Sequence, residues 1–219
     1  MSRRERIGWA IATALALAIP IAVLVAVAAS PATEQLRASI DQILRVVSDS
    51  DLKKPGRAAE RRAAIRKVAL EIFDVQEITK RVCGLHWSAR TPAEREELVG
   101  LFRELLERAY LSRIELYNGE RIAFTGETVD GDVATVRTRL TLREGVEVPV
   151  EYRMMRRGER WVSYDVVIEG VSLVANYRGQ FNRILQGGSY AELVRRLRAM
   201  LEGHSEAGGA ASRRITQAR

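Results

Sequence analysis

The chain predicts an α+β fold in a single domain behind an export segment. Three features of the sequence carry that prediction. Arg3, Arg4 and Arg6 precede an uncharged apolar run from Ile7 to Ala29. Residues at helical spacing fill both ends of the remaining chain. Between them lie four segments in which apolar and polar residues alternate, separated by short glycine-containing turns.

The 219 residues are enough to bury a substantial core, and 47% apolar with 29% charged residues describes a folded, water-facing domain. Net charge is +7. The basic excess is concentrated at the two ends, at Arg3, Arg4 and Arg6 and again at Arg213, Arg214 and Arg219. The basic start, apolar middle and small-residue end (Ala26-Val27-Ala28) are the three parts of an export signal. The apolar run also reaches the ~20 residues that a bilayer-spanning helix needs. Residues 1–30 are therefore read as a signal peptide or an N-terminal anchor. Either one places the remainder outside the cytoplasm, so no nucleic acid is expected as partner despite the basic pI. One cysteine excludes a disulfide framework, and two histidines leave little for a metal site.

Leu36, Ile40, Ile43 and Val47 predict a helix over 34–48, and Ile65, Val68 and Ile72 predict one over 57–73. Asp74 and Glu77 stand at capping-box spacing before a short helix that Gly84 ends. Thr91-Pro92-Ala93-Glu94 is a strong helix start, with Pro at the first helical position. That helix is predicted to run to about Tyr117, with Leu98, Phe102, Leu105 and Leu116 in one stripe and Leu106, Tyr110 and Tyr117 beside it. Its apolar arc is broad enough to be covered on more than one side.

Four strands follow in a meander. Ile122 and Phe124 mark the first. Val136 and Leu140 alternate with Arg137 and Arg139 in the second. In the third, Val148, Val150 and Tyr152 alternate with Glu147, Glu151 and Arg153. In the fourth, Val162, Tyr164, Val166 and Ile168 alternate with Trp161, Ser163 and Asp165. Such a sheet is apolar on one face and wet on the other, with Asp165 expected on the outward side. A helix from Leu173 to Gln186, capped by Ser172, and another after the Ser189/Glu192 pair complete the domain. Residues 31–202 form it. Residues 203–219 hold Gly, Ala, Ser and Arg with little apolar mass and are expected to be a disordered basic tail.

No catalytic residue is assigned. Cys83 and His86 are three apart, but Gly84 interrupts the helix between them, so a buried structural thiol is expected. Asp165 and Glu169 have the chemistry of an acid/base pair. Capping the next helix and pairing with Arg178 is the favoured reading of both. The aromatic and aliphatic surplus fits either a packed core or a cavity between sheet and helices.

Longer blocks narrow this. Gly84-Leu85-His86-Trp87 precedes Thr91-Pro92-Ala93-Glu94. Val150-Glu151-Tyr152-Arg153-Met154 precedes Trp161-Val162-Ser163-Tyr164-Asp165-Val166. Ile168-Glu169-Gly170-Val171-Ser172-Leu173-Val174 leads to Asn176-Tyr177-Arg178-Gly179-Gln180-Phe181. In these blocks the chain resembles the MlaC family, also called the toluene-tolerance family, the periplasmic auxiliary component of an ABC transport system. The resemblance implies an exported, non-enzymatic shuttle that carries phospholipid between the outer and inner membranes of Gram-negative bacteria. It implies an apolar pocket with phospholipid as cargo and no cofactor. Its implied partners are an MCE-type inner-membrane transporter subunit and an outer-membrane lipoprotein complex.

On that reading the helical wall of the pocket is Trp87, Phe102, Leu105, Leu106, Tyr110, Val174 and Tyr177. Its sheet floor is Val136, Leu140, Val148, Val150, Tyr152, Val166 and Ile168. Arg178 is either a structural pin toward Asp165 or Glu169, or a head-group contact. The rival readings are a pocketed α+β enzyme acting on a small apolar substrate and a structural envelope adaptor. The enzyme would need an inward-pointing carboxylate or histidine; the adaptor would need no cavity.

Overall fold

The computed structural model describes residues 29–217. The export segment lies outside the described residues. α1 (Pro31–Ser48), α2 (Ala58–Ile72) and α3 (Val75–Cys83) lead, through a 3-10 turn at Gly84–Trp87, to α4 (Pro92–Glu115). Next come β1 (Arg121–Asp130), β2 (Val133–Thr141), β3 (Glu147–Arg157), β4 (Arg160–Ile168) and the two-residue β5 (Val171–Ser172). α5 (Leu173–Gly187) and α6 (Tyr190–Gln217) close the chain. The sheet is antiparallel in the order β1-β2-β3-β4-β5, so it has five strands where four were expected. β5 is too short to carry a periodic signal. It exists because the turn at Glu169-Gly170 folds Val171 back onto Ile168, with both turn residues at positive φ (50° and 80°). Glycine accepts that geometry freely, whereas Glu169 bears a local backbone cost.

The helix starts follow their sequence signals. Thr91 and Glu94 form a complete capping box, and Ser172 Oγ accepts from the Ala175 amide. The Asp74 carboxylate accepts from the Glu77 amide. Glu77 does not reach back, because Arg81 and Arg157 hold its carboxylate. Ser30 caps α1 and, with Thr33, is bound to a distant partner: both hydroxyls donate to Glu127 of β1 at 2.5 Å. Where disorder was predicted from Gly203, the helix continues to Gln217. Ala, Glu and Arg are good helix formers, and each of Gly203, Gly208 and Gly209 costs only ~1 kcal/mol against them.

Three separate apolar clusters hold the fold. The first joins α3, α4, α5 and α6 around Val82, Phe102, Phe181, Leu193 and Leu197. The second packs α1 and α2 (Leu36, Val68, Ile72) on one end of the sheet's apolar face, at Ala134, Val136, Met154 and Trp161. The third ties Val47, Ile65 and Leu111 together where α1, α2 and α4 meet. α4 packs on α6, α3 and α2. The rest of the sheet's apolar face belongs to none of these clusters.

Candidate functional site: an apolar cleft along the sheet

Register builds the floor of the site. Val136, Thr138 and Leu140 of β2 stand opposite Tyr152, Val150 and Val148 of β3. Tyr152 and Val150 stand in turn opposite Val166 and Ile168 of β4. Directly opposed residues share a face, so the predicted floor residues lie together on one side. The other side carries charged pairs, with Arg137 near Glu151 and Arg139 near Glu147, and also buries Val167 opposite Glu151.

Burial differs between the two ends of that floor, with Thr138 still buried (3% exposed) opposite half-buried Val150. Val136 is fully buried and Met154 is 1% exposed. Tyr152, Val150, Val148, Leu140 and Val166 are half-buried, and Ile168 is 39% exposed. One end is thus sealed under α1 and α2, and the other opens toward the turns that carry Val146 and Val171, both exposed. Tyr152 stands at the changeover. Burial pushes its phenol up to about 12, although its side chain keeps accessible surface.

The helical residues divide differently. Phe102, Leu105 and Val174 are buried in the α3–α6 cluster. Phe102 meets Tyr177 edge-on at 5.0 Å and Phe181 at 5.6 Å. Leu106, Tyr110 and Tyr177 are half-buried at its margin. The Tyr177 phenol is raised by burial, with a smaller effect from Tyr110 beside it. The remaining gap within this cluster, lined by Leu105, Tyr177, Phe181 and Leu197 among others, is only about 10 Å³, room for about one water at most. Trp87 borders a different feature, a polar groove of about 440 Å³ with Asp74, Gln76, Glu77, Lys80 and Arg157.

Two expectations are corrected. Asp165 was placed outward by strict alternation, yet it is 3% exposed. A bulge breaks the β3–β4 register between Arg153 and Met154 and leaves Tyr164 unpaired. The phase of β4 therefore reverses: Trp161 and Ser163, not Val162, share the Met154 face. Asp165 still lies opposite Arg153, away from Tyr152, but the start of α5 covers it there. Its carboxylate accepts from Arg153 at 3.1 Å, the Ser172 hydroxyl at 2.6 Å and the Val174 amide at 3.0 Å. That arrangement anchors the β4–α5 junction and commits the carboxylate to three structural donors.

The second correction concerns Arg178, which was expected to reach Asp165 or Glu169. Its Nε donates instead to the Arg81 carbonyl at the end of α3, at 2.7 Å. It remains a pin with a different partner. Sequence spacing offered no way to see a bond 97 residues apart. Arg81 in turn lies over the Tyr164 ring at 4.0 Å. The Asp165 junction itself was only half-seen: helix capping was predicted, the Arg153 partner was not.

Cys83 is 1% exposed in the helical cluster, and burial pushes its thiol up to about 12, against a smaller lowering by Arg90. Among the described residues no group of three or more His, Cys, Asp or Glu side chains could hold a metal ion. Among them, too, no helix is long and apolar enough to cross a membrane.

The MlaC family model matches residues 37–199, the greater part of this fold. The chain belongs to the MlaC family. Toluene tolerance protein ttg2D of Pseudomonas putida is 24% identical over 125 residues, 56% of this chain and 58% of that protein. The chain thus matches less than two thirds of that relative's length. A solved phospholipid-binding protein from Ralstonia solanacearum, in complex with a phospholipid, has the same fold. Its TM-score is 0.72 at 23% identity, covering 80% of this chain and 99% of that one.

Proposed function

We propose that this MlaC-family protein binds one diacyl phospholipid in the cleft between Tyr152 and Ile168 and carries it through the periplasm between the two membranes. The observation that supports this most is the difference in burial between the two ends of the sheet floor. An apolar face with no structural reason to be half-covered is covered in the loaded state by acyl chains. Leu140, Val148, Val150 and Val166 would line them, with Leu106, Tyr110 and Tyr177 as the helical margin. Each buried methylene contributes ~0.8 kcal/mol, so two acyl chains supply ample affinity without head-group contacts, and varied head groups are tolerated.

No bond is made or broken in this role. Catalytic machinery is not required, and the buried Asp165 carboxylate is engaged in holding α5. Release into water would be prohibitively slow, so loading and unloading need partners that accept the lipid directly. An MCE-type transporter subunit at the inner membrane and a lipoprotein complex at the outer membrane fill that role in our reading. The export segment fits a periplasmic site of action.

The test is to purify the mature chain from a Gram-negative host, confirm folding by circular dichroism, and extract it with solvent. Mass spectrometry should find diacyl phospholipid at close to one per chain. Folded protein that yields no phospholipid would refute the proposal.

A further inference from the structure

We propose that export cleaves the chain between Ala29 and Ser30, and that the new α-ammonium of Ser30 docks on the Glu127 carboxylate of β1. The step is a hydrolysis by a signal peptidase. Water adds across the Ala29–Ser30 peptide bond, leaving a carboxylate on Ala29 and the ammonium on Ser30. It stands independently of the lipid cargo.

Three frames in the sequence resemble the Ala-x-Ala pattern that precedes such a cut. Ala26 and Ala28 would leave Ala29 first, Val27 and Ala29 would leave Ser30 first, and Ser30 and Ala32 would leave Thr33 first. The third frame conflicts with the fold. It removes Ala32, which is fully buried beside Leu36 in the cluster that seals the sheet. It also removes Ser30, whose side chain caps α1 by accepting from the Thr33 amide.

Glu127 decides between the other two. Its Oε1 lies 2.8 Å from the Ser30 nitrogen, inside the range of an ammonium–carboxylate bond. Its Oε2 accepts from the Ser30 and Thr33 hydroxyls, both at 2.5 Å. All these donors are neutral while Ser30 remains an amide, and Glu127 forms no ion pair with any of the described residues. Burial pushes its carboxyl up, but the bonds from Ser30 and Thr33 bring it below its ordinary value. The site therefore holds a half-buried negative charge with no cation beside it.

An ammonium on Ser30 supplies that cation. The fit works in both directions, because a positive charge at a helix start opposes the helix dipole and needs a carboxylate at the same place. A start at Ala29 puts the charge on an exposed residue instead. The consequence falls on the sealed end of the sheet, which α1 closes through Ala32, Leu36 and Ile40. Cleavage completes the anchor of its first turn on β1, so the released chain is fastened more firmly than the precursor.

Two measurements test this. The intact mass of chain purified from the periplasm of a Gram-negative host gives the first residue. A mass beginning at Ser30 is expected; any other first residue, or retention of the export segment, overturns the inference. The ion pair is tested in a cycle. Chains starting at Ser30 and at Ala28 are released from a fusion partner, each with Glu127 and with Glu127→Gln, and unfolded in denaturant. E127Q should lower the folding equilibrium constant about threefold more in the Ser30 chain than in the Ala28 chain. Both chains lose the same hydrogen-bond acceptor, so a capping role alone predicts equal effects, and equality overturns the docking. If E127Q folds in neither chain, the two wild-type chains are compared directly. A Ser30 chain no more stable than the Ala28 chain then overturns it.

Discussion

The two ends of the sheet's apolar face are made of the same material and do different things. At one end Ala134, Val136 and Met154 pack under α1 and α2 and are sealed. At the other Leu140, Val148, Val150 and Val166 are equally apolar and equally well alternated, yet half-open. The difference lies in what stands over them. Leu36, Ile40, Val68 and Ile72 reach the first end, whereas α4 spends its apolar arc on α6, α3 and α2. Burial, and hence function, is decided by the partner element and not by the strand.

A buried charge separates the ends most sharply. Val136→Asp places an unpaired carboxylate in a sealed site, at a cost of several kcal/mol. Against total stabilities of ~5–15 kcal/mol, the variant should fail to accumulate as folded protein. Val150→Asp should fold, because water reaches the open end, and should carry no lipid. Soluble expression and circular dichroism check both. If V150D also fails to fold, the open end is ordinary core.

Truncation comes next. Phe102→Ala removes a fully buried ring that touches Tyr177 and Phe181, and denaturant unfolding should show a loss of ~3–5 kcal/mol. Ile168→Ala, at the open mouth, should cost under about 1 kcal/mol. Similar losses at the two positions would erase the distinction between closed cluster and mouth.

Overpacking gives a smaller contrast. Val136→Trp should cost ~1–3 kcal/mol, whereas Val150→Trp should cost clearly less when both proteins are compared lipid-free. The delipidated comparison is essential, since bound lipid itself stabilises by mass action.

The smallest effect is in pH dependence. Cys83 is held as a thiol by burial up to about 12, while in the unfolded chain it ionises near ~8.5. The folded pKa is raised, so its contribution is complete below the unfolded value and is lost as pH rises toward 12. Cys83→Ala should therefore flatten the fall of stability between about pH 9 and pH 12, whatever it does to the absolute value. An unchanged slope in alkaline unfolding curves would show that the thiol is not shielded as described.

How much of this could be read from sequence follows the range of each interaction. The capping box at Thr91, the Ser172 cap and the period-two rows of β2 and β3 are local, and they were legible. The β4 bulge was not. One unpaired residue at Tyr164 leaves the apolar count unchanged while it moves Trp161 and Ser163 to the other face. β5 escaped because two residues carry no period. The Ser30–Glu127 and Arg178–Arg81 bonds span most of the domain, so no spacing rule reaches them. The membership of each aromatic in cluster or cleft margin was also beyond the sequence: Phe102 and Tyr177 both sit on apolar helix faces, and only Phe102 is sealed.

Whether the open end of the sheet is where the lipid lies is tested most directly by the lipid content of Val150→Trp, measured per folded chain beside wild type. Both proteins are expressed in the same Gram-negative host, checked for equal secondary structure, extracted, and quantified by mass spectrometry. An indole at Val150 fills the space that acyl carbons require, so wild type should hold close to one phospholipid per chain and V150W close to none. A folded V150W with the full wild-type complement of lipid would contradict the account, because the acyl chains would then have to lie elsewhere in the protein.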